Sequence, residues 1–90
     1  MRISILESRQ AIYTGNAKKV ILPGGDGELC VLDFHQPFLY HLRKGYIQVS
    51  ETGTQPEKRG AREPIALRRI WIENGLAAMK GNELTIMAER

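Results

Sequence analysis

Ninety residues leave room for one small domain. Folding such a chain buries only about two-thirds of the surface it exposes unfolded, which argues against a large enzyme with a deep cleft. Thirteen Lys and Arg against ten Asp and Glu leave a net charge of +3, which permits an acidic partner but does not demand nucleic acid.

The chain opens directly on alternation. Ile3 and Ile5 alternate with Arg2 and Ser4, so no signal peptide is expected. Ala11 to Thr14, Lys19 to Leu22 and Leu29 to Leu32 are further short strands. The last two are apolar on both faces, as fully buried strands are, and Cys30 is expected to be buried with its neighbours. Leu29 to Leu32 is also the longest apolar cluster, far short of the roughly 18 residues a membrane span needs. Phe38, Leu39 and Leu42 fit one helical turn after Pro37. Tyr46 to Ser50 points Ile47 and Val49 one way, Gln48 and Ser50 the other. Ile65 to Ile72 is strand-like, but its alternation breaks at Arg68-Arg69, which suggests a bulge or a strand edge. Leu84, Ile86 and Ala88 share one face of a last strand.

Turn residues punctuate these runs: Gly15-Asn16, Pro23 to Gly27, Lys44-Gly45, Gly53, Asn74-Gly75 and Gly81-Asn82. Seven or more short strands so spaced predict an all-β chain, an antiparallel sandwich or barrel. Residues 51–64 carry two prolines and six charges and no aliphatic side chain larger than Ala, and so read as an exposed, mobile hairpin loop. No linker to a second domain is visible, so residues 1–90 are expected to form a single domain.

Chemistry-bearing motifs are sparse. Gly24-Gly25-Asp26-Gly27 lacks the Gly-Lys-Ser/Thr ending and helix that a phosphate loop needs, and Asp26 and Glu28 would repel phosphate. The run instead reads as a strand-to-strand turn. Cys30, Asp33, His35 and His41 are metal-capable types but lack the paired spacing of a structural zinc site. The single cysteine also excludes an internal disulfide, and the chain reads as intracellular. Lys58, Arg59, Arg62, Arg68 and Arg69 form the densest basic stretch. With Tyr46 or Trp71 they suit a second reading, a small basic β-barrel that binds single-stranded nucleic acid by stacking. Glu51, Glu57 and Glu63 dilute that patch.

From Pro23 to Leu39 the sequence becomes specific. Pro-Gly-Gly-Asp-Gly-Glu-Leu-Cys-Val-Leu-Asp-Phe-His-Gln-Pro-Phe-Leu resembles the epsilon subunit of F-type ATP synthases. That family has a similar Gly-Glu-apolar turn and strand, then His-x-Pro-apolar-Leu, then a Gly before a strand, here Gly45-Tyr46-Ile47. Asn74 to Met79 with Asn82 to Ala88 resembles its final hairpin, and Tyr13-x-Gly15 its opening aromatic-x-Gly. Cys30 stands where the family has Gly, and Asp33-Phe34 where it has Pro-Gly.

The resemblance implies a β-sandwich of about ten short strands. It implies a non-catalytic rotor subunit without a cofactor, joining the gamma subunit to the membrane c-ring. The subunit would lie peripherally on the cytoplasmic face of the membrane, touching it only through the complex, with no nucleic-acid partner. By position, Asp26 and Glu28 would face the c-ring, and His35, Gln36 and Phe38 would face gamma. The family's C-terminal helical hairpin would begin after Arg90, so the 90 residues are expected neither to bind ATP nor to inhibit hydrolysis through those helices.

Overall fold

A computed structural model describes residues 1–52 and 66–90. They form β1 (Arg2–Glu7), β2 (Gln10–Gly24), β3 (Gly27–Leu32), β4 (Phe38–Leu42), β5 (Gly45–Glu51), β6 (Ala66–Ile72), β7 (Asn74–Lys80) and β8 (Glu83–Glu89). The strands neighbour one another in the order β1-β8-β7-β4-β2-β5-β6, with β3 beside β2 and β1 also beside β2. Pairing is antiparallel except between β1 and β8. The fold is an all-β sandwich with eight strands among the described residues.

The long strand β2 ties the layers together. Its first half pairs with β1, its middle with β5, and its end with β3. A strand that changes partners along its length is how a sandwich turns its corners. The sequence predicted two strands here, split by a turn at Gly15-Asn16. The chain instead stays extended, because Tyr13 lies across Gly15. A Cβ on Gly15 would sit 2.7 Å from the Tyr13 hydroxyl, so the glycine makes space for a ring rather than a bend.

Every strand turns one face inward. Ile3, Ile5, Val20, Leu22, Val31, Leu42, Ile47, Val49, Ile72, Ala77, Leu84 and Ile86 are fully buried in one cluster. Each Leu, Ile or Val buried this way contributes about 1.5–3 kcal/mol. The period-two alternation read in β1, β5 and β8 is this inner face.

Two expectations are corrected, and a third is narrowed to one of its alternatives. Cys30 and Leu32 are exposed, so β3 buries only one face. Among the described residues β3 pairs with β2 alone, and its second face has nothing to pack against. Phe38 to Leu42 is a strand, paired with β7 from Phe38↔Met79 to Leu42↔Gly75. A five-residue ladder satisfies backbone groups that one isolated helical turn would not. Finally, β6 pairs with β5 without interruption from Ala66 to Ile72. There is no bulge at Arg68-Arg69; β6 is the last strand in the order, and the broken alternation marks an edge. Bulges fall instead between Ile5 and Leu6 and between Ala17 and Lys19. Of the loop expected at 51–64, Glu51 closes β5, and the Thr52 N–H donates to the Asn16 carbonyl at 3.0 Å. Lys58, Arg59 and Arg62 lie outside the described residues.

Candidate functional site

The predicted contact residues gather at the two ends of β3. At one end, Gly24 pairs with Gly27 across the two-residue turn Gly25-Asp26. Gly27 has φ +126°, a conformation closed to most side chains. Asp26 and Glu28 are both exposed. Pro23, Gly24, Gly27, Glu28 and Arg43 line a shallow groove of about 240 Å³ beside them. The Arg43 N–H donates to the Pro23 carbonyl at 2.8 Å, which holds the β4–β5 connection against this turn.

At the other end, the chain turns sharply at Asp33-Phe34. Phe34 has φ +60° and is 78% exposed. Its N–H donates to Asn82 Oδ1 at 2.7 Å, and the His35 N–H donates to the Leu32 carbonyl at 3.1 Å. Asp33 accepts from the N-terminal ammonium of Met1, which also donates to the Ala17 carbonyl at 2.7 Å. His35 and Phe38 are half-buried and meet edge to face with ring centres 5.3 Å apart. Phe38 meets Tyr40 in the same way at 6.4 Å. Gln36 is exposed, and its carbonyl lies 2.8 Å from His35 Nδ1.

The structure therefore groups Asp26 with Glu28, and His35 with Gln36 and Phe38. The six residues of β3 separate the groups by about 20 Å at the rise of an extended strand. Among the described residues, no three His, Cys, Asp or Glu side chains converge as a metal site would require.

The sequence reading missed an exposed apolar row. On the outer face of β4, β7, β8 and β1, the register aligns His41 with Leu76, Leu76 with Met87, and Met87 with Leu6. Leu76 and Met87 are exposed, as is Leu39 on the same face of β4. Met87 was legible as an apolar residue at the outward parity of the last strand, whereas Leu39 was hidden by the helical turn expected there. An apolar outer row of this kind has the chemistry that a docking surface needs.

Tyr46 and Trp71 do come together, at 4.9 Å between ring centres. One face of Tyr46 holds the Arg69 guanidinium at 4.3 Å, and Trp71 Nε1 donates to Glu73 at 2.8 Å. A base seeking to stack here would compete with contacts already made.

A polar link joins β2, β5 and β6. The Tyr13 hydroxyl donates to Glu51, and Arg68 Nε lies 3.3 Å from the other Glu51 oxygen. Burial, and then the Glu51 carboxylate, push the Tyr13 phenol well above its ordinary value. The Tyr13 hydrogen bond, with help from Arg68, holds Glu51 below the usual carboxylate range. The signs differ. The raised Tyr13 contributes stability below about pH 10 that is lost as pH rises toward its folded value. The lowered Glu51 contributes stability above the ordinary carboxylate value that is lost as pH falls through its folded value. Denaturant midpoints measured against pH are expected to fall on both sides of a plateau. Tyr13→Phe is expected to flatten the alkaline fall; an unchanged slope between pH 10 and 12 would exclude the tyrosine as its source.

Comparison with known proteins finds the same fold. The family model for the ATP synthase delta/epsilon chain, β-sandwich domain, matches residues 1–90. The ATP synthase epsilon chain of Janthinobacterium sp. (strain Marseille) is 25% identical over 89 residues, covering 99% of this chain and 56% of the relative. That of Maricaulis maris is 28% identical over 89 residues and 58% of its length. The chain thus spans little more than half the length of these bacterial relatives. Among solved structures, a chain of the Tetrahymena thermophila mitochondrial ATP synthase central stalk and c-ring superposes with a TM-score of 0.71 at 13% identity, covering 100% of this chain and 63% of the other. A chain of the Euglena gracilis mitochondrial ATP synthase gives 0.74 at 15% identity, covering 98% and 49%. With the family model matched from the first residue to the last and the sandwich in place, this chain belongs to the ATP synthase delta/epsilon family and corresponds to its β-sandwich domain.

Proposed function

We propose that this chain is the sandwich body of a central-stalk rotor subunit in an F-type ATP synthase. It is non-catalytic, links the gamma subunit to the membrane c-ring, and lies peripherally on the cytoplasmic face. The observation that carries this reading is the family match across residues 1–90. Placement of the two residue groups at opposite ends of β3 supports it. A part that turns between two partners needs two separate contact surfaces on a stiff body. Close packing supplies the stiffness, since a dense core transmits strain instead of absorbing it.

On this reading Asp26 and Glu28 meet basic groups of the c-ring loops. His35, Gln36 and Phe38 meet gamma, and the half-buried Phe38 holds the loop that carries the other two. The exposed row of Leu39, Leu76 and Met87 favours assembly over catalysis. The isolated chain is expected to bind its cognate gamma subunit with micromolar affinity or better, as an interface of standard size supports. Titration calorimetry measures this directly. Absence of binding would sink the reading.

A further inference from the structure

We infer that the β3–β4 end of the sandwich docks an acidic segment of the gamma subunit, with Phe34 as the apolar anchor. This rests on the rotor reading above and adds to it the residue and the chemistry of the contact.

Phe34 is doubly costly where it stands. A left-handed backbone disfavours a side chain with a Cβ, and 78% of the ring's residue surface faces water. Among the described residues nothing repays either cost, since the ring lies outside the core cluster. Yet the loop is firmly held. Asn82 accepts from the Phe34 N–H, Leu32 accepts from the His35 N–H, and the N-terminal ammonium pairs with Asp33. A large aromatic displayed on a locked, strained loop is preorganised for insertion into a partner's pocket.

The surface next to it supplies the second observation. Leu32, two residues before Phe34, is 52% exposed. It is paired with Lys19 across β2 and β3. The irregularity between Ala17 and Lys19 leaves both Lys18 and Lys19 exposed. Lys18, Lys19, Leu32 and Ser50 line a shallow groove of about 240 Å³. Of the described acids, Asp33 is engaged by the N-terminal ammonium and Glu51 by Tyr13 and Arg68. Among the described residues no ion pair engages either lysine. A groove that Leu32 shares with two lysines unpaired among the described residues, close in the chain to a displayed phenylalanine, matches a partner segment that carries carboxylates around an apolar contact. Phe34 directly precedes His35 and Gln36, so the surface continues the one proposed for gamma.

The test is calorimetric titration of the cognate gamma subunit with the wild-type chain, Phe34→Gly and Lys18→Glu/Lys19→Glu, each at low and high salt. Phe34→Gly is expected to bind at least tenfold more weakly while its thermal midpoint rises by a few degrees. A residue with a merely structural role would not lose affinity while gaining stability. The lysine double variant is expected to bind at least tenfold more weakly and to lose most of the salt dependence of the wild type. Wild-type binding with both variants unimpaired overturns this inference alone, as does loss of stability in Phe34→Gly. Unimpaired binding by the lysine variant overturns the acidic partner. Absence of wild-type binding overturns the rotor reading as well. Wild-type adsorption to phosphatidylserine-containing vesicles, abolished by Phe34→Gly with gamma affinity unchanged, would assign the surface to lipid and overturn it too.

Discussion

Gly24→Ala is expected to destabilise the chain by about 2–3 kcal/mol, whereas Gly25→Ala next to it should change stability by less than about 0.5 kcal/mol. A Cβ on Gly24 would lie 2.2 Å from Tyr40 Cε2, and 2.7 Å from both the Tyr40 hydroxyl and the Gly27 carbonyl oxygen. A Cβ on Gly25 would meet nothing within 4 Å. Two obstacles surround Gly24. Tyr40 can swing away only by leaving its edge contact with Phe38. The Gly27 carbonyl belongs to the turn itself, and moving it opens the pairing of Gly24 with Gly27. For a chain of this size each kcal/mol shifts the thermal midpoint by about 4–8 °C, so the loss is readily measured. A double-mutant cycle with Tyr40→Leu divides the effect. If the ring is the main obstacle, Gly24→Ala should cost clearly less in the Tyr40→Leu background. Equal effects at Gly24 and Gly25 would refute this account of the turn.

That contrast shows where the sequence was legible and where it was not. The glycine run was correctly read as a strand-to-strand turn, because no helix or lysine follows it. The reason for each glycine was not legible. Gly27 serves conformation, while Gly24 serves space for a ring sixteen residues away in the chain. Gly15 misled for the same cause: a glycine inside a strand looks like punctuation until the tyrosine lying over it is seen. Alternation in β1, β5 and β8 was readable because each has one wet face. The pattern in β3 was not, since Cys30 and Leu32 are apolar yet exposed. Apolar residues at both parities predict burial on both faces, and only the strand's place at the border of the sheet decides otherwise. The family resemblance already divided Asp26 and Glu28 from His35, Gln36 and Phe38, and the strand pairing adds that six residues of β3 lie between the two groups. Phe34 was noticed only as a departure from Pro-Gly. Its strain and exposure are properties of the backbone at that turn, which no local pattern encodes.

Reversing both carboxylates of the β2–β3 turn is expected to damage coupling while leaving the fold intact. Asp26→Lys/Glu28→Lys should shift stability by under about 1 kcal/mol, because both residues are exposed and neither makes an ion pair among the described residues. The proposed c-ring contact is another matter. Each exposed pair is worth about 0–1 kcal/mol, and a lysine in the same place replaces attraction with repulsion of similar size. Taken at the middle of that range, two such reversals together weaken the contact by about 2 kcal/mol, near thirtyfold in affinity. Arg43 adds to the effect, since it lines the same groove as Glu28 and would then face a second cation. In a reconstituted motor, ATP-driven ion pumping is expected to fall below about half while ATP hydrolysis continues, the signature of a rotor that slips at this joint. The milder Asp26→Asn/Glu28→Gln removes attraction without adding repulsion and should fall between the two. Raising the salt concentration should narrow the difference between wild type and neutral variant, because exposed charges are screened within about 10 Å at 0.1 M. Pumping by the lysine variant at the wild-type rate would mean that this turn does not bear on the c-ring. Loss of both hydrolysis and pumping, with a lowered thermal midpoint, would mean that the turn matters to the fold instead.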